Sequence, residues 1–159
     1  PLSKLNINID RGNFKSGNTY KVFEHENLLF SNLICYESSI PKISRTFVSK
    51  GAEFLVIQAN DGWLGSSFGP YQHFELARLR AIENRISIVR SANTGISGII
   101  NFDGSVTEKV KLNEEKLIFE EVITNKNRSF YTRYGDIFAL LNVLVTVFYI
   151  LLTCRRYFL

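Results

Sequence analysis

Cys35 is the residue of this chain whose type and setting best fit a chemical role. It follows a mainly apolar run at residues 28–34, and Ser38, Ser39 and Pro41 after it are typical of a helix start. The pattern predicts a buried strand that delivers a thiol to a tight turn, where helix amide groups would favour a nucleophilic thiolate. The alternative is a small buried hydrophobic residue, since free cysteine is often fully buried.

A second polar segment, residues 60–69, also follows a short apolar run and contains the only tryptophan, Trp63. Short continuous apolar runs are typical of strands covered on both faces. In α/β sheets, functional groups gather beyond the carboxyl ends of such strands. We therefore expect Cys35 and the segment from Asn60 to Trp63 to converge at one edge of a sheet.

Hydrophobic periodicity indicates the elements that must position these residues. A polar connection at residues 24–27 and an Asp103-Gly104 turn predict two hairpins, and residues 1–19 are interpreted as a loop. The order of elements predicts an α/β fold with a mixed, largely covered sheet. Helices are predicted over about residues 41–51 and 70–85, and strands at residues 20–23, 28–35, 54–57, 86–89, 96–102, 105–110 and 117–123.

Residues 137–154 form a stretch without a charged side chain. At about 1.5 Å per residue a helix of this length spans roughly 27 Å, close to the hydrocarbon thickness of a bilayer. Arg155 and Arg156 follow at once, and the positive-inside rule places them in the cytoplasm. We expect a transmembrane helix here; the alternative is a buried core helix.

The formal net charge is +4, and Arg155 and Arg156 supply two of these charges. The remaining surplus is too small and too evenly spread to indicate nucleic-acid binding. Four arginines are expected mostly to form ion pairs with Glu75 and Glu83, with contact to a phosphate headgroup as the alternative: Arg78, Arg80, Arg85 and Arg90.

The other cysteine and the histidines show no spacing that resembles a zinc site. His25 and His73 are isolated in the sequence, and each is expected to be an ordinary surface or core residue. Cys154 lies at the far end of the predicted span, so a disulfide with Cys35 is not expected, and Cys35 is left as a reactive thiol. No metal or other cofactor is expected.

Five motifs occur in a fixed order: ICYE at 34–37, NDGWLG at 60–65, GPYQH at 69–73, ARLRAIENR at 77–85 and RSANTGIS at 90–97. Together with YTRYGD at 131–136 they resemble the carbon–nitrogen hydrolase (nitrilase) superfamily. Within it, the chain looks most like the membrane branch, the apolipoprotein N-acyltransferases. The resemblance covers nearly the whole chain from about residue 28.

The resemblance implies a nitrilase-like four-layer α-β-β-α sandwich, of which this chain would be the C-terminal part, followed by one transmembrane helix. It also implies a Glu-Lys-Cys triad with Cys35 as the nucleophile and Tyr36 and Glu37 as supporting residues. The general-base Glu and the Lys of the family lie well upstream of the cysteine. No residue here matches them, so we interpret the chain as a fragment that is inactive alone.

Trp63 matches an aromatic residue of the family at the mouth of the active site. Asn60 and Leu64 in the same loop are expected to contact substrate with it, although Leu64 stands where the family usually has Phe. The domain division that follows is a partial carbon–nitrogen hydrolase domain at 1–124, a linker at 125–136, a transmembrane helix at 137–154 and a cytoplasmic tail at 155–159.

The activity that the resemblance implies is acyl transfer between membrane lipids. A phospholipid would donate an acyl chain to Cys35 as a thioester, and the N-terminal amine of a diacylglyceryl-cysteine lipoprotein would accept it. The protein would be a multi-pass protein of the bacterial inner membrane with a periplasmic catalytic domain. The alternatives are a nitrilase-type amidase that cuts small amides and an inactive membrane-tethered fragment.

Overall fold

The computed structural model describes residues 17–65 and 67–158, so most of the loop expected at residues 1–19 lies outside the described residues. Within them the strands are β1 Phe23–His25, β2 Leu28–Ile34, β3 Phe54–Ala59, β4 Ser87–Ala92, β5 Ser97–Ile100 and β6 Val106–Val110. The helices are α1 Pro41–Ser49, α2 Gly69–Asn84, α3 Phe130–Tyr134 and α4 Ile137–Phe158. This order confirms the predicted α/β fold, with one helical layer on one sheet.

The strands form one sheet in the order of the chain, β1 to β6. The three central strands β2, β3 and β4 run parallel, and the two flanking hairpins are antiparallel. The first hairpin turns on Glu26 and Asn27, whose φ angles of 47° and 65° are those of a two-residue type I′ turn. The first strand therefore lies at residues 23–25 rather than at the predicted 20–23.

Helices α1 and α2 cover one face of the sheet, because each carries a stripe of apolar residues that packs on alternate strand residues. Pro41 begins α1 and Pro70 lies in the first turn of α2, where a missing backbone N–H costs no helical hydrogen bond. The core has no solvent exposure at most of its positions and includes Leu33, Val48, Leu55, Ile57, Phe74, Ala77, Ala81 and Ile88.

The opposite face of the sheet is only partly covered. Phe23, Phe30 and Phe54 lie side by side on neighbouring strands, with ring centroids 5.6 Å and 5.4 Å apart, and Phe23 is 39% exposed. Further along this face, Ile34 at the end of β2 is 63% exposed. This face therefore presents apolar surface that the described residues leave open.

The strand predicted at residues 117–123 is wrong, since the described chain has no strand there. The segment instead crosses the partly covered face, from Lys116 bound to Glu108 on β6 to the Ile123 carbonyl, which accepts a hydrogen bond from Ser87 Oγ. Its backbone lies over a sheet face, where no strand edge offers hydrogen-bond partners, so an apolar extended segment does not become a strand.

The segment expected to link the domain to the span, residues 125–136, is itself folded around α3. Arg45 on α1 donates to the carbonyls of Tyr131 and Arg133, at 3.0 and 3.3 Å. Thr132 Oγ1 donates to Asn84 Oδ1 at 3.0 Å. We call this set of contacts between α1, α2 and α3 the joint, and it holds the start of α4 against the domain.

Helix α4 is long and apolar enough to cross a membrane. The stretch from Ile137 to Arg155 has a mean hydropathy of 2.5, and none of it is buried inside the protein. Within the described residues no core packs around this helix, which favours a membrane span over a core helix. Asn142 and Thr146 meet their hydrogen-bonding needs within the helix by bonding carbonyls one turn earlier, at 2.7 and 2.8 Å.

Candidate active site

Cys35 lies directly after β2, at the start of a 3-10 turn from Cys35 to Ser39 that leads into α1. Its φ angle is 49°, in the left-handed region that residues with a side chain rarely adopt. Such a conformation costs about 1–3 kcal/mol and persists only where the surroundings hold it. The strand-to-turn setting that the sequence predicted is therefore present, with a strained backbone at the thiol.

Side-chain hydrogen bonds hold this turn. The Ile34 N–H donates to Glu37 Oε2 at 2.7 Å, and Ser38 Oγ donates to the Cys35 carbonyl at 2.8 Å. Arg80 Nη1 donates to the Ser39 carbonyl at 3.2 Å. Glu37 thus binds the backbone of the residue before the thiol, which fits a supporting role better than a general preference for carboxylates at helix starts.

A buried network of three charged or titratable side chains lies beneath the turn. His73 Nδ1 is 2.8 Å from Asp61 Oδ1, and Arg90 Nη2 donates to Asp61 Oδ2 at 2.7 Å. Arg90 Nε donates to the Ile96 carbonyl at 3.1 Å. On its other side, His73 Nε2 lies 3.0 Å from Ser38 Oγ and 3.2 Å from the Cys35 carbonyl.

The sheet register explains why these residues meet. Ile34 pairs with Gln58 and Ala59 pairs with Ala92, so β2, β3 and β4 end at the same edge. Asp61 follows β3, and His73 lies at the start of the second turn of α2, which returns over that edge. The segments expected to converge at the carboxyl edge of the sheet are therefore together.

Arg90 is the main positive charge of this edge. Its side chain is completely buried, and burial lowers its pKa, while the charges of Asp61 and Cys35 oppose that shift. A buried guanidinium needs a counter-charge, which Asp61 supplies at hydrogen-bond distance. The half-buried thiol therefore lies beside a buried ion pair, whose two charges interact in a region of low dielectric.

The same residues have the spacing of a metal site. Cys35 Sγ, a carboxylate oxygen of Asp61 and a ring nitrogen of His73 lie within 4.8 Å of one another. However, Arg90 Nη2 is 2.7 Å from Asp61 and 3.1 Å from His73 Nδ1, so a guanidinium already binds the groups that an ion would need. A second cation there would meet Coulomb repulsion, so these residues fit a protein-internal network better than a metal centre.

Cys35 opens onto a cavity of about 170 Å³. Tyr36 and Trp63 line it and are 68% and 73% exposed, so its mouth is aromatic and open to the surroundings. Leu64 lines the same cavity and packs on Gly69. Asn60 has another position: its Oδ1 accepts a hydrogen bond from the Gly62 N–H at 3.2 Å and so shapes the loop that carries Trp63.

His73, Asp61 and Arg90 belong to the site, although their positions in the sequence did not indicate it. His73 was expected to be an ordinary residue because no partner lies near it in the sequence, although its place just after a strand-end loop was a usable signal. The expected ion pairs do form at Arg78–Glu75 and Arg80–Glu83, both at 2.7 Å. Arg90 is not one of them, because β4 turns it toward the core.

Comparisons with known proteins identify the family of the chain. The carbon–nitrogen hydrolase family matches residues 5–130. An apolipoprotein N-acyltransferase from Geobacter metallireducens is 37% identical over 144 residues, which cover 87% of this chain and 28% of that protein. Another, from Rickettsia bellii, is 41% identical over 128 residues, covering 79% of this chain and 24% of that protein. The chain thus spans about a quarter of the length of these curated relatives.

The fold agrees as well. The crystal structure of a carbon–nitrogen hydrolase from Helicobacter pylori superposes with a TM-score of 0.58 at 16% identity, covering 64% of this chain and 43% of that one. At this identity the likeness speaks for the fold alone. The chain belongs to the carbon–nitrogen hydrolase family.

Proposed function

We propose that this chain is the C-terminal part of an apolipoprotein N-acyltransferase, in which Cys35 is the nucleophile. The observation that carries the proposal is a thiol held in a left-handed turn at the end of a strand, open to an aromatic-lined cavity. Both relatives described above are named apolipoprotein N-acyltransferases. Their names support acyl transfer over other reactions of the family.

In the first half of the proposed reaction, the Cys35 thiolate attacks the ester carbonyl of a phospholipid. A carbon–sulfur bond forms, the ester carbon–oxygen bond breaks, and the lysophospholipid leaves as an alcohol after it receives a proton. In the second half, the N-terminal amine of a diacylglyceryl-cysteine lipoprotein attacks the thioester. A carbon–nitrogen bond forms, the carbon–sulfur bond breaks, and the amine proton passes to a base.

The base and the oxyanion-binding cation of this scheme are the Glu and Lys that the family carries upstream of its cysteine. We assign neither role to a residue of this chain. Glu37 is engaged with the Ile34 N–H, and Arg80 is engaged with the Ser39 carbonyl, so both serve the turn. Residues 1–159 alone are accordingly proposed to be inactive, with the activity belonging to a chain that also contains the upstream half.

Membrane substrates fit the surface around the cavity. Trp63, Phe68 and Tyr36 are 73%, 82% and 68% exposed, and aromatic side chains partition to the bilayer interface. Helix α4 would anchor the domain beside that interface and so raise the effective concentration of lipid substrates. With Arg155 and Arg156 on the cytoplasmic side, the catalytic domain of a multi-pass inner-membrane protein would face the periplasm.

The experiment is acylation of the full-length polypeptide that contains residues 1–159, purified in detergent and mixed with phospholipid alone. Mass spectrometry of the Cys35 peptide should show the mass of one added acyl group, and neutral hydroxylamine should remove it. The Cys35→Ser variant should carry no such hydroxylamine-labile group and should not transfer acyl chains to a lipoprotein peptide. Full transfer by this variant would refute the proposal, and turnover of small amides instead of lipid would favour a nitrilase-type amidase.

A further inference from the structure

The geometry points to His73 as a positioning residue for the nucleophile, acting through Ser38 and the Cys35 carbonyl and held in place by Asp61 and Arg90. This inference rests on the proposed function in one respect, that Cys35 is the reacting thiol. The chemistry of the reaction described above does not use His73, Asp61 or Arg90. All three are nearly or completely buried, His73 and Asp61 lie within 4.8 Å of the thiol, and Arg90 binds Asp61.

The Cys35 carbonyl is the point where the network meets the turn. It accepts from Ser38 Oγ at 2.8 Å, and His73 Nε2 approaches both of these atoms, at 3.2 and 3.0 Å. The carbonyl rotates with the backbone of Cys35, so a partner that fixes the carbonyl also fixes the direction in which the side chain leaves the turn. His73 is therefore placed to control the direction of the Cα–Cβ bond that carries Sγ.

Asp61 and Arg90 give His73 a single orientation. An ionised carboxylate can only accept hydrogen bonds, so the contact of 2.8 Å between Asp61 Oδ1 and His73 Nδ1 places a proton on Nδ1. Arg90, itself bound to the Ile96 carbonyl, donates to Asp61 Oδ2 and so holds the carboxylate in place. The ring then directs Nε2 toward Ser38 and the Cys35 carbonyl rather than toward solvent. Because a carbonyl oxygen only accepts, the 3.2 Å contact holds the carbonyl when Nε2 also carries a proton.

The four groups come from four separate elements, which is what a positioning network needs. Cys35 follows β2, Asp61 follows β3, His73 is on α2 and Arg90 is on β4. A strained, left-handed residue persists only where its surroundings determine it from several sides. Without the His73 contact, the turn can relax, and displacement of a nucleophile by about 1 Å can slow a reaction roughly a hundredfold.

The test uses the full-length protein in detergent and measures two rates at Cys35. One is the rate of acyl-enzyme formation with phospholipid, together with the KM for the lipid; the other is alkylation by iodoacetamide, quantified on the Cys35 peptide. The variants are His73→Leu, His73→Gln and Ser38→Ala. The matched controls are His25→Leu and Ser49→Ala. His25 is an exposed histidine. Ser49 lies away from the site, and its hydroxyl donates at 2.8 Å to the carbonyl three residues earlier, as the Ser38 hydroxyl does.

We expect His73→Leu to slow acyl-enzyme formation roughly tenfold or more with little change in KM, since the lipid cavity is intact. His73→Gln, which keeps a side-chain donor, should recover part of that loss, and Ser38→Ala should slow acylation several-fold. Both controls should react at the wild-type rate. A folded His73→Leu protein that acylates and alkylates at wild-type rates overturns the inference.

If His73→Leu does not fold, Ser38→Ala decides, and a wild-type rate in that variant is the contrary result. A uniform fall in the rates of all variants and controls would equally contradict a specific role. Cys35→Ser separates this inference from the proposed function. If it leaves transfer intact, the nucleophile is wrongly assigned; if it abolishes transfer while the His73 and Ser38 variants are normal, only the positioning role is wrong.

Discussion

Arg90 Nη2 lies 2.7 Å from Asp61 Oδ2, and neither side chain has any exposed surface. Removing one partner of such a pair leaves a buried charge without compensation, which typically costs about 3–5 kcal/mol. We therefore expect Asp61→Ala to lower the free energy of unfolding by about that amount, measured by pulse proteolysis in detergent. Glu75→Ala breaks the partly exposed pair with Arg78 and should cost less than about 1 kcal/mol. Equal losses in the two variants would contradict the assigned burial.

Gly95 leaves space for the Asp61 carboxylate. A Cβ on Gly95 would overlap Asp61 Oδ2 and lie 2.8 Å from Asp61 Cγ. We expect Gly95→Ala to push the carboxylate from His73 and Arg90 and to slow alkylation of Cys35 by roughly tenfold, equivalent to about 1.4 kcal/mol. Gly17→Ala is the control, because a Cβ there meets nothing within 4 Å. Similar alkylation rates in both variants would show that the Asp61 position does not matter to the thiol.

Arg45 binds the backbone carbonyls of Tyr131 and Arg133 in the joint. We expect Arg45→Ala to leave these carbonyls without their donor and to speed amide hydrogen exchange across residues 129–135 by about tenfold. Arg45→Lys should not restore protection, since an ammonium group cannot bind both carbonyls as a planar fork does. Lys42→Ala, at an exposed residue of the same helix, is the control. Unchanged exchange in Arg45→Ala would mean that the joint is held by other contacts.

The row of Phe23, Phe30 and Phe54 leaves one sheet face apolar and partly open. We expect residues 1–159 expressed alone to self-associate, because exposed apolar sheet faces promote aggregation. Light scattering after size-exclusion chromatography in detergent should show a polydisperse sample, and co-expression with the upstream half of the full-length protein should reduce it. A monodisperse fragment with a cooperative melting transition would contradict this prediction.

The order of strands and helices could be predicted because each element carries its own periodicity. The hairpin turn at Asp103-Gly104 could be predicted for the same reason, because its signal is a pair of adjacent residues. The turn forms, and the Gly104 N–H donates to the Asn101 carbonyl at 2.8 Å. The strand prediction at residues 117–123 failed because an extended apolar segment has the same sequence pattern whether it pairs with a strand edge or crosses a sheet face. The sequence does not encode that choice locally.

The site was predictable in part. Cys35, Trp63 and Leu64 share one cavity, as the position of their segments after two strands indicated. His73 and Arg90 could not be assigned, because their partners come from distant elements. Arg90 pairs in register with Ile57, which itself pairs with Leu33, and this row faces the helices. Only the assembled sheet shows that an arginine in that row must find a carboxylate, and that Asp61 is the one.

Helix α1 begins six residues after Cys35, and its Arg45 holds the backbone immediately before α4. One short helix thus connects the turn that carries the thiol to the start of the proposed membrane helix α4. Bilayer thickness, which sets how far an apolar helix leans, would consequently also set the depth at which the sulfur meets an acyl ester.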